Sequence, residues 1–243
     1  MDNKNRSFNR SLFEMRPVVF KKNYTPHADG SILIKVGNTS VLCNASIQEK
    51  VPFFIKGQKI GWITAEYGMI PTSTHKRNIR ESIQGKQKGR TIEIQRFISR
   101  SLRSAINLKK LGERTILLDC DVLEADGGTR SASITGSYIA MVQACKKLIK
   151  KKILKKNPIK TILASISVGI VNNKYMCDLD YNEDSKANSD INIVMDSEEK
   201  IVEIQGTAET KTFKENDLYN LITIAKKNIK KLIKKQKDII KEI

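Results

Sequence analysis

The spacing of apolar residues changes along the chain between the two-residue period of strands and the 3.6-residue period of helices, and this alternation restricts the fold most strongly. The sequence predicts strands at 31–36, 40–48, 60–69, 115–123, 161–171, 174–181, 190–196 and 200–209. It predicts helices at 90–110, around 134–148, and at 214–243. This order is neither a strict strand–helix alternation nor all-strand, so we predict an α+β fold with helices packed on mixed sheets.

Length and composition indicate how the chain is divided. Its 243 residues suit one large domain or two small fused ones, and 40% apolar residues supply a core. A change in composition near residues 155–160 separates possible structural halves at about 1–157 and 158–243, without a Pro/Ser-rich linker. We therefore predict a single domain over 1–243.

The chain has neither a long apolar run nor an apolar segment of signal-peptide type at its start. We expect a soluble, cytoplasmic protein without a membrane partner. The four cysteines, Cys43, Cys120, Cys145 and Cys177, are scattered and lack CxxC spacing, which favours reduced core thiols over a zinc site.

The net charge of +18, from 44 Lys and Arg against 26 Asp and Glu, favours a polyanionic partner such as nucleic acid. Much of the excess is lysine at 146–156 and 226–237, where it can equally form the solvated face of a helix. Charge alone leaves both interpretations open.

A glycine-rich turn, EADGGTRSASITG at 124–136, joins a predicted strand to a predicted helix. Gly127 and Gly128 leave backbone N–H groups uncovered at the positive end of the helix, so a small anion can bind there. Thr129 and Arg130 add a hydroxyl and a guanidinium. The alternative is a plain turn with a helix cap and a surface cation. Neither GxxxxGK[ST] nor GxGxxG occurs, which favours phosphate or a phosphodiester over a nucleoside triphosphate.

A second cationic region surrounds the start of the helix predicted at 90–110. Arg90 stands at that start and is a candidate phosphate contact. Arg96, Arg100 and Arg103 share one helix face, and a solvated face is enough to account for Arg100 and Arg103. The polar, basic stretch 71–90 is predicted to be an exposed loop. Its cations either follow a phosphate backbone or have no role: His75, Lys76, Arg77, Arg80, Lys86 and Lys88.

Five carboxylates lie close together in the sequence: Asp178, Asp180, Glu183, Asp184 and Asp190. On a strand Asp178 and Asp180 face the same side, and the following turn can return Asp184 to them. Carboxylates that lie close together repel one another unless a cation compensates their charge. Mg²⁺ is a suitable cation, because it is commonly coordinated by a few carboxylates together with substrate oxygens. An acidic hairpin paired with lysines is the alternative.

Phosphate and cation sites together indicate phosphoryl transfer.

Several longer motifs occur in a fixed order: RP at 16–17, GNTSVLCNASI, GWITAEYGMIP, GRTIEIQRFISRSLR, LGERTILLDCDVLEADGGTRSASITG, DLDYNEDSKANSD and EIQGTAE. With them the chain resembles the ribonuclease PH family over essentially its whole length. The resemblance implies the ribonuclease PH-type fold, which is ribosomal protein S5 domain 2-like, and a homohexameric ring built as a trimer of dimers. It also implies a stand-alone phosphate-dependent 3′→5′ exoribonuclease that trims the 3′ trailer of precursor tRNA and releases nucleoside diphosphates.

The resemblance also implies the roles of individual residues. Inorganic phosphate would be bound by Arg90, Gly128, Thr129 and Arg130. Mg²⁺ would be bound by Asp178 and Asp184, with Asp190 in support, and the catalytic residues would be Asp178, Asp184 and Arg130. RNA would be bound by Arg77, Arg80, Arg96 and Arg100.

A non-catalytic RNA-binding ring subunit of an exosome-like assembly is the alternative function. Inactive relatives need not retain Arg90, the GGTR turn or the acidic residues, so their presence favours the enzyme. A generic basic RNA-binding protein would leave the acidic cluster without a role.

Overall fold

The computed structural model describes residues 6–243, and in that range the chain forms nine strands and five α-helices. In chain order they are β1 (Val18–Lys22), β2 (Gly30–Val36), β3 (Thr39–Gln48), β4 (Trp62–Met69), α1 (Gly89–Ser104), α2 (Leu108–Leu111), β5 (Thr115–Glu124), α3 (Thr129–Lys150), β6 (Leu163–Val171), β7 (Lys174–Cys177), α4 (Tyr181–Asp184), β8 (Ala187–Asp196), β9 (Ile201–Ala208) and α5 (Glu215–Lys241).

The strands form two sheets. The first has the order β1-β2-β3-β5-β4, in which β4 runs parallel to β5 and the other pairs are antiparallel. The second has the order β7-β6-β8-β9 and is antiparallel throughout. Helices pack on these mixed sheets, which confirms the predicted α+β class.

Helix α3 lies between the two sheets, packed on β2, β3 and β5 of the first and on β6 of the second. Because both sides are covered, every side chain from Ser131 to Cys145 is buried, instead of the single apolar stripe that the sequence predicts. Gly136 permits the close approach, since a Cβ there would lie 2.7 Å from Cys43 Sγ and 2.8 Å from an Ile34 methyl group.

The two other long helices, α1 and α5, pack against strands of the sheets. α1 packs on β4 and reaches β9, so it spans the edge strands of both sheets. α5 packs on β6 and contacts α3, and Gln236 Nε2 donates to the carbonyls of Thr135 and Leu163, both at 3.0 Å. One hydrophobic cluster includes residues of both sheets and all three long helices.

Apart from shifted ends, the predicted elements differ from the structure at four places, one of which is the short α4, which was not predicted. β1 was not predicted, because five residues at a sheet edge give too short a pattern to recognise. The helix predicted at 90–110 is interrupted after Ser104, and Asn107 caps the short α2. The strand predicted at 174–181 ends at Cys177, because Asp178 adopts a φ of +54° that a strand does not allow.

Asn172 and Asn173, with φ of +50° and +58°, form the tight turn that joins β6 to β7. The four cysteines are buried free thiols. Within residues 6–243, no helix combines the length and apolar character needed to cross a bilayer.

Candidate active site

The turn between β5 and α3 depends on its two glycines. Gly127 and Gly128 have φ of +75° and +68°, a region that other residues rarely adopt. A Cβ on Gly127 would lie 2.4 Å from the carbonyl oxygen of Leu179. Among the described residues no side chain caps α3, whose first N–H groups have no acceptor within the helix. This helix terminus lines an open cavity and is suited to binding an anion.

Arg16, which lies just before β1, binds the carbonyl groups of this turn. Its guanidinium donates to the carbonyl oxygens of Asp126 and, at 3.3 Å, Gly127. The Thr39 hydroxyl donates to the same Gly127 oxygen at 2.7 Å and accepts from the Asp126 N–H at 2.9 Å. These bonds occupy the carbonyl groups of Asp126 and Gly127 and the Asp126 N–H, so the N–H groups that follow Asp126 in the turn remain for a ligand.

Asp178 is the buried counter-ion of Arg16. Its carboxylate accepts from the Arg16 backbone N–H at 2.7 Å, from Nε at 3.0 Å and from Nη2 at 2.8 Å. Burial would raise the pKa of Asp178, but Arg16 and Arg10 hold that pKa below its ordinary value. The residue is only 3% exposed and does not line the cavity. Arginine occupies both oxygens of Asp178, so the contacts of this carboxylate are structural and do not support the metal-binding and catalytic roles expected from the sequence.

Asp180 and Glu183 also have structural partners. Asp180 caps α4 by accepting from the Glu183 N–H at 3.0 Å, and the Glu183 side chain completes a capping box. Glu183 forms ion pairs with Arg6 at 2.6 Å and Arg10 at 2.9 Å. These acids attach the N-terminal segment to the second half of the chain.

The cavity at the start of α3 has a volume of about 180 Å³. It brings together five of the residues that the sequence singles out, namely Arg90, Thr129, Arg130, Asp184 and Asp190. The two arginines come from α1 and α3, and the two carboxylates come from α4 and β8. Opposite charges from four elements thus share one cavity.

Asp184 and Asp190 are the carboxylates available to a cation. Burial raises the pKa of Asp184, against the opposing effect of Arg90 and Arg130. Burial and the neighbouring Asp184 raise the pKa of Asp190 to about 6. Asp190 Oδ2 accepts from Asn192 at 3.1 Å, whereas the buried Oδ1 has no hydrogen-bond partner among the described residues. An orphaned carboxylate oxygen beside a second carboxylate fits a hard divalent cation.

Larger sets of ligands are absent. Residues 6–243 contain no group of three or more His, Cys, Asp or Glu side chains placed to hold a metal ion. Two carboxylates would therefore need water and substrate oxygens to complete the coordination of Mg²⁺, which is how this ion is commonly bound.

Arg130 is oriented by two residues that sequence reasoning missed. Its Nη1 donates to Gln205 Oε1 at 2.7 Å and lies 3.6 Å from Glu93 Oε1. Gln205 Nε2 in turn donates to Glu93, which connects α3, β9 and α1. Gln205 could have been found in the sequence through its position in the EIQGTAE motif. Its charge and its spacing from other residues alone do not distinguish it.

Tyr67 was also missed. Its hydroxyl lies 2.9 Å from Thr129 Oγ1 in a hydrogen bond, at the end of β4 that lines the cavity. Burial raises the pKa of Tyr67, so it stays a neutral hydroxyl at neutral pH and can orient Thr129.

The four arginines expected to bind RNA lie outside the cavity. Arg77 and Arg80 are exposed on the segment 70–88, which has neither helix nor strand, as predicted. Arg96 is exposed on α1. Arg100 pairs with Glu203 of β9, and this hydrogen bond raises the pKa of Arg100.

Comparison with known proteins identifies the family. The model of the 3′ exoribonuclease family, domain 1, matches residues 14–147, and that of domain 2 matches residues 161–228. The chain therefore belongs to the 3′ exoribonuclease family of the ribonuclease PH type, and the resemblance seen in its motifs is confirmed.

Solved structures with the same fold include an exosome from Archaeoglobus fulgidus with RNA bound to the active site, at 23% identity and a TM-score of 0.80 over 96% of this chain and 93% of that one. Rrp46 from rice (Oryza sativa) has 16% identity and a TM-score of 0.78, covering 97% and 100% of the two chains. An archaeal exosome core has 23% identity and a TM-score of 0.75, covering 94% and 89%. They establish the ribonuclease PH-type fold.

Proposed function

We propose that this protein is a phosphate-dependent 3′→5′ exoribonuclease that trims the 3′ trailer of precursor tRNA. It transfers the terminal nucleotide to inorganic phosphate and releases a nucleoside diphosphate. One observation carries the proposal: a single cavity combines an anion site at the start of α3 with two carboxylates. Family membership supports it, and so does the similar exosome structure described with RNA at its active site.

Inorganic phosphate binds at the glycine turn. Arg90, Arg130, the Thr129 hydroxyl and the N–H groups at Gly128 surround it, and the positive end of α3 favours its negative charge. Gln205 and Glu93 contact only Nη1 of Arg130, so Nε and Nη2 are left for phosphate oxygens. Phosphate held in this way needs no further ordering before it attacks.

In the reaction an oxygen of the bound phosphate attacks the last phosphodiester phosphorus in line. The bond from that phosphorus to the 3′-oxygen of the shortened RNA breaks, and the 3′-oxygen leaves as a hydroxyl after gaining a proton. The attacking species is hydrogen phosphate, so the proton that it carries is the one gained by the 3′-oxygen, and we assign to the Asp184 carboxylate in the same cavity the role of assisting this transfer.

Asp184 and Asp190 would hold Mg²⁺, because the unpartnered Oδ1 of Asp190 lies in the same cavity as Asp184. When bound, the cation neutralises charge that develops on the scissile phosphate. Asp178 is left out of this assignment since Arg16 occupies both of its oxygens.

The remaining parts of the proposal concern assembly and substrate. Arg77 and Arg80 on the exposed segment contact the tRNA body, and Arg96 and Arg100 on α1 contact the RNA near its 3′ end. The protein acts in the cytoplasm as a homohexamer, a trimer of dimers, with the whole chain as one domain.

The test is incubation of purified protein and Mg²⁺ with a 3′-extended tRNA labelled at its terminal nucleotide, with and without inorganic phosphate. Release of nucleoside diphosphate only with phosphate is the expected result. Release of monophosphate without phosphate would mean that water is the nucleophile. RNA binding without any release would instead support a non-catalytic ring subunit of an exosome-like assembly.

A further inference from the structure

Two adjacent phenylalanines project into solvent from the turn between β3 and β4. Phe53 is 92% exposed and Phe54 is 61% exposed. Backbone bonds fix this turn, from Ile55 N–H to Pro52 O at 3.1 Å and from Lys56 N–H to Phe53 O at 3.2 Å. Large aromatic rings presented together on an ordered turn indicate an interaction site.

Trp62 and Arg103 extend this surface. The ring of Phe54 stands edge-on to Trp62, with centroids 5.2 Å apart and an angle of 86° between the planes. The Arg103 guanidinium lies 4.4 Å from the centroid of the Trp62 ring, and its Nη1 donates to the Ile63 carbonyl at 2.9 Å. We call Phe53, Phe54, Trp62 and Arg103 the aromatic platform.

Helix α1 connects the platform to the cavity. Arg90, in the first turn of α1, lines the cavity, and Arg103, in the last turn, lies on Trp62. At 1.5 Å per residue the two ends are about 20 Å apart. Arg96 and Arg100 are exposed between them. Guanidinium groups therefore occur along α1 between the cavity and the platform, and that of Arg100 is paired with Glu203.

We propose that the aromatic platform binds the upstream part of a single-stranded RNA by stacking with its bases, while the 3′ end of the same strand lies in the cavity. Aromatic rings beside cations are the features that proteins use to bind single strands without sequence preference. The proposal rests on the proposed function only for the position of the 3′ end.

Charge favours RNA over a second copy of the chain as the occupant. Lys56 and Lys59 flank the exposed rings, and Arg103 covers Trp62. An isologous interface between copies would bring these cations against the same cations of the partner. A polyanion meets no such repulsion.

The distance predicts a dependence on RNA length. A stacked strand advances about 3.4 Å per nucleotide, so roughly six nucleotides are needed to cover the ~20 Å between Arg90 and Arg103. An oligoribonucleotide of three nucleotides cannot reach the platform from the cavity, whereas one of ten nucleotides can.

The sequence contains one tryptophan, Trp62, so intrinsic tryptophan fluorescence reports on the platform alone. In phosphate-free buffer, where phosphorolysis cannot proceed, the protein is titrated with a three-nucleotide and a ten-nucleotide RNA and with an abasic ten-nucleotide strand. We expect the ten-nucleotide RNA to change the Trp62 emission and the other two to leave it unchanged.

Phe53→Ala tests the stacking directly, and Phe13→Ala is its matched control. Phe13 is 53% exposed and lies against α5, where its carbonyl accepts from Asn228. Phe53→Ala should weaken binding of the ten-nucleotide RNA by about tenfold, the typical loss for one stacked base. Binding of the three-nucleotide RNA should stay the same, and Phe13→Ala should bind both like the wild type.

Three results would overturn the proposal. The ten-nucleotide RNA could bind without changing the Trp62 emission, or Phe53→Ala could bind it as well as the wild type does. Alternatively, Phe53→Ala could lower the molecular mass of the particle in light scattering at unchanged RNA affinity, which would assign the platform to contacts between copies. The absence of nucleoside diphosphate release by the wild-type protein would instead contradict the proposed function, because these titrations do not require cleavage.

Discussion

Asp178 and Asp184 are close in the sequence, but the fold gives them different surroundings. Asp178 is enclosed by the guanidinium and backbone N–H of Arg16, whereas Asp184 lines a cavity with Arg90 and Arg130. The first carboxylate therefore stabilises the fold, and we propose that the second acts on the substrate. Substituting each in turn separates these roles.

Asp178→Asn leaves the buried charge of Arg16 without its counter-ion, a change that typically lowers the free energy of unfolding by about 3–5 kcal/mol. Asp184→Asn breaks no ion pair among residues 6–243, so we expect less than about 1 kcal/mol of change in stability and a loss of phosphorolysis. Urea unfolding and an activity assay on both variants measure this. A stable, inactive Asp178→Asn would restore Asp178 to the metal site.

Asp190 has a pKa that predicts the pH dependence of stability. Its pKa rises on folding from 3.8 to about 6, so above pH 6 the native state must bury a charged carboxylate that the unfolded state exposes to water. Asp190→Asn removes this penalty, about 3 kcal/mol at pH 8, and the gain falls to nearly nothing by about pH 3, where Asp190 is protonated in both states.

The measurement is thermal unfolding at pH 8 and pH 4 with a chelator present. An equal gain in stability at both pH values would contradict the assigned pKa shift. Addition of Mg²⁺ at pH 8 should then raise the melting temperature of the wild type but not that of Asp190→Asn, because only the wild type keeps both proposed ligands.

Arg130 is the side chain that we expect to stabilise the transition state most directly. Arg130→Ala should lose about 2–4 kcal/mol of transition-state stabilisation, measured as kcat/KM for phosphate, as when one preorganised donor is removed. Arg114→Ala is a suitable control because Arg114 pairs with Glu49 on the surface. Near-normal turnover of Arg130→Ala at saturating phosphate would contradict the assignment.

Among the elements, the turn between β5 and α3 is the part of the site that the sequence predicts best. Its glycines and Arg130 are neighbours along the chain, so their joint position follows from local geometry. The role of Arg16 could not be predicted in the same way, because it lies 110 positions before the Asp126 carbonyl that it contacts. Contacts across such separations depend on the packing of the whole fold.

The acidic segment after β7 shows why a pattern can place a residue wrongly. The strand prediction aligned Asp178 with Asp180, but the backbone turns at Asp178 and Asp180 caps α4. The family resemblance gave Asp190 only a supporting role. β8 places it in the cavity beside Asp184.

The exposed segment between β4 and α1 should bind the tRNA body. Arg77→Ala with Arg80→Ala should weaken binding of precursor tRNA and reduce its salt dependence by about two units of slope, because two phosphate contacts are lost. Cleavage of short single strands should be spared. Binding titrations at several salt concentrations test this, and equal losses on both substrates would argue against it.

At the scale of the whole molecule, the cavity is built by both halves of the chain. Arg90 and Arg130 come from the part matched by the first family domain, and Asp184 and Asp190 come from the part matched by the second. α3 lies between the two sheets and holds the anion site at its N-terminus. The two sets of charges are therefore fixed relative to each other by the common core.

The central claim is that phosphate bound at this cavity is the nucleophile. It is tested most directly by supplying radiolabelled inorganic phosphate with unlabelled 3′-extended RNA and Mg²⁺, and then identifying the labelled product. We expect label in the terminal phosphate of released nucleoside diphosphates with the wild type, and a drop of about two to three orders of magnitude with Arg130→Ala. RNA shortening with no label in the released nucleotides would contradict it.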